Sequence, residues 1–245
     1  MRIVQWVLIA ISSLVLHSCI EGDEEVWIHA DGSARVKATY RVPGLVMTAA
    51  EADELTALVA EEVGADAGLR LLANRVDLER GQRVIRIEVE AADITRLEDL
   101  VTEHAPGGER SKADKMLHAL LGSIDVKAEG LSASLRREVD ITPLLDEYVG
   151  KNAAVLLSEA EFRYAVHLPK SVERTNAHAV SDGGRTLRWK YRLGDLRREP
   201  MVMEMAAPVP LPWWVYAALG GIVVLVVVLL ALRVVRARRP AVSAT

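Results

Sequence analysis

A run of about 20 residues without a charged side chain, WWVYAALGGIVVLVVVLLAL from Trp213 to Leu232, constrains this chain more than any other feature. That is the length an α-helix needs to cross the hydrocarbon of a bilayer. Trp213, Trp214 and Tyr216 open the run, where amphipathic rings favour the headgroup layer, and Arg233, Arg236, Arg238 and Arg239 follow it with no acidic residue among them. The one-sided charge predicts a single transmembrane helix over 213–233 and a basic tail, 234–245, in the cytoplasm. The body of the chain is then expected on the far, extracytoplasmic side of that membrane. A buried core helix is the competing reading, and its one-sided cationic end argues against it.

The N-terminus carries a second membrane signal. Arg2 begins a short basic region, Ile3 to Val15 is mostly apolar, and Leu16-His17-Ser18-Cys19 follows. A leucine three positions before a cysteine and a small serine just before it resemble a lipobox, where a lipoprotein leader is cut and the cysteine acylated. Residues 1–18 are expected to be the signal peptide and Cys19 the site of an acyl (palmitate-type) anchor. An ordinary leader, or an uncleaved anchor with an incidental cysteine, is the alternative. With one cysteine in the chain, no internal disulfide is available to the exported domain.

Between these ends, residues 20 to 212 suffice for one domain with a real core. The net charge of −4 hides an asymmetry: setting aside Arg2 and the four tail arginines from 30 basic residues leaves 25 against 34 acidic ones, or −9. Such a balance excludes nucleic acid as a natural partner, since phosphates need a basic stripe. It also gives the domain no electrostatic reason to lie on anionic lipid.

The acidic segment 19–25 reads as a spacer. Val26 and Ile28 then alternate up to Asp31-Gly32, and Ala34, Val36, Ala38, Tyr40 and Val42 alternate away from it, a strong hairpin pattern. Thr48 and Glu51 fit a capping box for a helix to about Val63, with Leu55, Leu58, Val59 and Val63 on one side and Gly64 as its stop. A second hairpin is expected across Arg80-Gly81-Gln82, from Leu69–Leu78 to Arg83–Val89. Asp93 can cap a helix carrying Ile94, Leu97, Leu100 and Val101 on its apolar side. Pro106-Gly107-Gly108 is a flexible break, and Ser111 to Leu121 reads as a helix stopped by Gly122. Ile124 to Val139 reads as extended, with a bulge or bend at Gly130. Thr142-Pro143 reads as the entry of a short helix to about Val149.

The last third is strand-like. Phe162, Tyr164, Val166 and Leu168 alternate, as do Leu187, Trp189, Tyr191 and Leu193 after the turn Asp182-Gly183-Gly184. Met201, Met203 and Met205 alternate before the stiff Pro-rich spacer 208–212. The predicted fold class is α+β, mainly antiparallel strands with helices packed on one face, spanning 26–207.

Taken together, Leu16 to Cys19, the hairpin at Asp31-Gly32-Ser33, Leu168-Pro169-x-x-Val172-x-x-x-Asn176-Ala177, Asp182-Gly183 before Leu187-x-Trp189, and the closing helix with its basic tail resemble the LppM-type bacterial lipoprotein domain. The resemblance spans most of the chain and rests on turn and strand residues. It implies an envelope-exposed α+β domain tied to the membrane, and in the mycobacterial member an association with membrane glycolipids. It carries over no catalytic residue.

Other constellations favour bland readings. The histidines outside the leader (His29, His104, His118, His167 and His178) contain no helical metal-ligand pair and no HExxH, so no metal or cofactor is expected. No G-x-S-x-G elbow or phosphate-cradling loop occurs, and the carboxylate pairs Glu24-Glu25 and Glu61-Glu62 are consecutive and diverge. Met201, Met203 and Met205 suit soft Cu(I) as thioethers, but at period two they are also an inward strand face, and flexible methionines line cavities for varied acyl chains. Trp189, among Phe162, Tyr164 and Tyr191, reads as core packing before sugar stacking. Asn176 reads as a backbone-bonding residue. The expected function is a non-enzymatic lipoprotein domain that binds a lipid, glycolipid or envelope partner, with Trp189, Tyr191, Met201, Met203 and Met205 as candidate ligand-binding residues. A structural or signalling scaffold on another membrane protein is the alternative, and an envelope hydrolase the third.

Overall fold

The computed structural model describes residues 20–44, 46–97, 111–129, 132–144, 160–195 and 199–209. The expected signal peptide, Cys19, the spacer beyond Val209 and the membrane helix over 213–233 lie outside the described residues. Among those described, no helix is long and apolar enough to cross a membrane.

The alternation that predicts the first hairpin produces it, on a longer scale. β1 (Glu21–Ile28) and β2 (Ala34–Pro43) pair antiparallel around a turn in which Gly32 takes φ +89° and Asp31 accepts the Ser33 N–H and hydroxyl. The acidic run Glu21–Glu25, read from sequence as a spacer, is the first half of β1. It can be a strand because its odd positions face water beside arginines while Gly22 and Glu24 face inward. β3 (Leu69–Glu79) and β4 (Gln82–Ala91) form the second hairpin, turned by Arg80 and Gly81 at positive φ, with a bulge between Leu71 and Ala73.

Seven strands make one sheet in the order β3-β4-β2-β1-β7-β10-β9, with β7 (Glu161–His167), β9 (Ala179–Ser181) and β10 (Thr186–Arg192). Its centre is the pairing of β1 with β7, the one parallel pairing among the described residues, from Glu21↔Glu161 to Trp27↔His167. Four strands make a second sheet, β5-β6-β11-β8, from β5 (Ser123–Glu129), β6 (Ser132–Val139), β8 (Arg174–Thr175) and β11 (Met201–Pro208). The extended stretch Ile124 to Val139 is therefore a hairpin, with Gly130 outside the described residues.

The first helix, α1 (Ala49–Ala65), starts at the expected capping box: the Glu51 N–H donates to the Thr48 hydroxyl, and the Thr48 N–H to the Glu51 carboxylate. It runs one residue past Gly64 and caps at Asp66. α2 (Lys112–Leu121) starts at Ser111, whose hydroxyl accepts the Asp114 N–H at 3.1 Å, and ends at Gly122. Thr142–Leu144 form a helical turn, α3, at whose start the Asp140 carboxylate takes the Thr142 N–H at 2.9 Å; the rest of the helix expected to about Val149 lies outside the described residues. Asp93 accepts the Thr95 N–H and hydroxyl as expected of a cap, and the helix expected beyond Leu97 falls outside the described residues.

The class is α+β, as expected, but helices alone do not cover the apolar face of the large sheet. α1 packs on β3 and β4 and against α2, while the second sheet covers the region of β1 and β7. One continuous core fills the space, from Ile85 and Leu55 under the helices to Trp189 and Met203 under the second sheet. The outer face of the large sheet is a lattice of ion pairs such as Arg41–Asp23 at 3.1 Å, Lys190–Glu161 at 2.7 Å and Arg86–Glu79 at 2.6 Å. Exposed pairs of this kind contribute roughly 0–1 kcal/mol each, so solvation rather than stability explains that face.

Candidate binding cavity and the buried ion pair beside it

Alternation along β1 points Glu24 inward, between Ala38 of β2 and Tyr164 of β7. Alternation along β6 points Arg137 inward from the opposite sheet, between Ile124 and Met203. The two side chains meet in the core, only 3 % and 5 % exposed. Arg137 donates from Nη1 to Glu24 Oε2 and from Nη2 to Glu24 Oε1, the latter at 3.3 Å. Its remaining donors close the end of α2: Nη2 reaches the Leu120 carbonyl at 2.7 Å and Nε the Leu121 carbonyl at 3.2 Å. A cation there also meets the negative end of the helix dipole. The Tyr40 hydroxyl donates to Glu24 Oε1, and the guanidinium stands 5.0 Å over the Tyr164 ring. One cluster thus ties β1, β2, β6, β7 and the end of α2 together.

Burial is the largest influence on Arg137 and opposes its charge, but the Glu24 carboxylate and its hydrogen bond, together with the Tyr164 and Tyr40 phenols, outweigh it, so the Arg137 pKa is raised. Burial, and then the same carboxylate, push the Tyr40 hydroxyl well above its ordinary 10. Burial also raises Tyr164, against the opposing field of Arg137. Both phenols stay neutral in the folded chain at a pH where the unfolded chain ionises them. Their contribution to stability is therefore complete below pH 10 and is lost as pH rises through and beyond it. The urea midpoint is expected to hold to about pH 9 and fall above about pH 10, with a shallower fall in Tyr40→Phe. An equally steep fall in that variant would remove Tyr40 from the account.

Beside this cluster lies a cavity of about 110 Å³ under α1 and α2. The sheet contributes Val26, Val36, Ala38, Ile87 and Val89; α1 contributes Leu55, Val59 and Val63, with Glu62; α2 contributes Leu117, Leu120 and Leu121. Its walls are mostly hydrocarbon; Glu62 borders it from α1, and Glu24, Arg137, Tyr40 and Tyr164 border it from the strands, the first three bonded to one another and Tyr164 under the guanidinium. A dry cavity of about 150 Å³ with such walls takes benzene, so this one has room for a few carbons.

The residues expected to bind ligand are distributed around this cavity rather than in it. Trp189 is 2 % exposed, packs on Tyr164 at 5.7 Å and donates its indole N–H to Asn176 Oδ1 at 2.8 Å. Tyr191 donates its hydroxyl to the Val202 carbonyl at 2.7 Å. Met201 lines a smaller void, Met205 lines another beneath the second sheet, and Trp189, Tyr191 and Met203 border none of the described cavities. The residues that do border the cavity under α1 and α2 come from two helices and six strands, and no local spacing joins them. Asn176 bonds backbone as expected, donating to the Val202 carbonyl and accepting the Glu204 N–H; through Trp189 it also clips the two sheets together. Among the described residues, no three His, Cys, Asp or Glu side chains gather as a metal site.

No family model matches the sequence, and no curated protein matches it. In structure, the chain is similar to the folded domain of LppM from Mycobacterium tuberculosis, solved by NMR, at 12 % identity and a TM-score of 0.47, with 80 % of this chain and 92 % of that one covered.

Proposed function

We propose that this chain is a non-enzymatic lipoprotein domain of the bacterial cell envelope. It is held at the outer leaflet of the inner membrane by the helix over 213–233 and an acyl chain on Cys19, and it takes up the hydrocarbon part of an envelope lipid. The observation that carries this reading is the hydrocarbon-walled cavity between α1, α2 and the large sheet. Binding rather than catalysis is its role: the buried ionisable groups Glu24, Arg137 and Tyr40 are spent on each other and on the end of a helix.

Full-length protein purified in mild detergent tests this directly. Native mass analysis with lipid extraction is expected to find roughly equimolar lipid, and intact mass a diacylglyceryl or further acylated Cys19 as the first residue. A stoichiometric protein partner with no lipid would instead establish a scaffold. An unprocessed N-terminus would remove the acyl anchor while leaving lipid uptake to be judged by the extract.

A further inference from the structure

Two voids lie beneath the helices. The second, of about 80 Å³, is walled by Gly22, Val42, Met116, Ile141, Phe162 and Met201. It exists partly because position 22 has no side chain: a Cβ there would stand 2.6 Å from Phe162 Cδ2. Tyr40 and Leu120 line both voids, so these two side chains are the partition between them. Tyr40 is fixed by its bond to Glu24. Leu120 is half-buried and held only by packing, so a rotamer change of Leu120 is the low-cost way to join the voids.

The polar groups on the walls are already committed. Glu24 and Arg137 hold each other, and Lys112, on the smaller void, donates to the Val46 carbonyl at 2.6 Å and pairs with Glu51 at 3.0 Å. A sugar, phosphate or carboxylate drawn inside would lose its hydration and find no partner in exchange. Each void is also smaller than one that takes a benzene ring, so fused rings do not pass the partition. A methylene chain is the apolar shape narrow enough to do so.

Resting on the lipid-binding reading above, we infer that the two voids are halves of one slot for an unbranched alkyl chain, joined when Leu120 turns aside, and that this slot reads the chain while the head group stays outside. Affinity then rises by about fourfold for each methylene buried, until the slot is full. It changes little with the chemistry of the head.

The test uses alkyl probes with a mid-chain diazirine and a hydroxyl, carboxylate or methyl-ester head, added to membranes that hold the full-length protein and photolysed. Adducts located by peptide mass analysis are expected on Leu117–Leu121 and on the facing strand at Val36–Val42. Yields are expected to agree among the three heads within about threefold, the spread one lost hydrogen bond allows. Leu120→Phe, which wedges the partition, is expected to lower the yield about fifteenfold, the equivalent of two methylenes shut out. Ala38→Val, a smaller filling of the larger void, is expected to lower it in the same direction should the phenylalanine variant fold poorly. Yields ordered by head-group charge, or adducts elsewhere that neither substitution reduces, would overturn the slot. If lipid still co-purifies in that event, only the slot falls; if none does, the binding role falls with it.

Discussion

Arg137→Met is expected to destabilise the protein by about 3–5 kcal/mol, because it strands the Glu24 carboxylate in the core with no cation beside it. The loss exceeds what the pair itself contributes. Taking both ions out of water costs several kcal/mol each, and their attraction only offsets that cost. Replacing both partners together, Glu24→Leu with Arg137→Met, is therefore expected to recover most of the loss. The recovery is incomplete because the Leu120 and Leu121 carbonyls lose the donors that close α2, and Tyr40 loses its acceptor. Urea unfolding followed by tryptophan fluorescence checks both numbers on one scale, since Trp189 sits in the same core. A single variant as stable as the parent would mean that Glu24 reaches water, and the junction between the two sheets would need another explanation.

Gly122→Ala is expected to cost about 3 kcal/mol or more, a second large effect from a position with no side chain to lose. Gly122 adopts φ 66°, ψ −150°, a region closed to residues with a Cβ. A Cβ built there would stand 2.2 Å from the Glu138 carbonyl oxygen and 2.8 Å from a Val139 methyl. The obstacle is backbone of a paired strand, so it cannot turn aside. Gly64→Ala is the control: that glycine is exposed in α1, with nothing within 4 Å of the added carbon. There the better helix propensity of alanine is expected to stabilise by about 0.5–1 kcal/mol. Thermal melts of the two variants should move in opposite directions. If Gly122→Ala melted with the parent, the tight passage from α2 into β5 would not be the constraint it is taken to be.

The two glycines also mark how far the sequence could be read. Both stand after an apolar helical face, and both read as helix stops. Only Gly122 is one; α1 runs past Gly64 because nothing in its conformation requires a glycine there. Local chemistry that acts within a few residues was legible: the Thr48–Glu51 box, the Ser111 cap, the turn at Asp31-Gly32, and the alternation of β7, β10 and β11. The acidic start of β1 was not. Five residues rich in carboxylates resemble a spacer until β2 and β7 stand on either side and supply Arg41 and Arg163. Glu24 already occupied an inward position, in phase with Val26, but its partner lies 113 residues away. No spacing rule reaches that far.

The same limit separates the expected binding residues from the cavity that was found. Met201, Met203 and Met205 do form an inward face, as their period of two requires. Whether an inward face meets another side chain or empty space depends on what the opposite layer places against it. At Met203 that layer is filled, Met201 and Met205 border voids, and under α1 and α2 a further one remains.

The sequence by itself determined the α+β class, the two leading hairpins and the caps of two helices, because period, turn chemistry and capping act between residues that are near neighbours in the chain. Only the tertiary structure decided that the strands divide into two sheets, that β1 and β7 run parallel, that Glu24 and Arg137 close the junction, and that voids remain under the helices. Those outcomes depend on how side chains from distant segments fill a shared volume and satisfy one another's charges, and neither the volume nor the pairing exists until the layers meet.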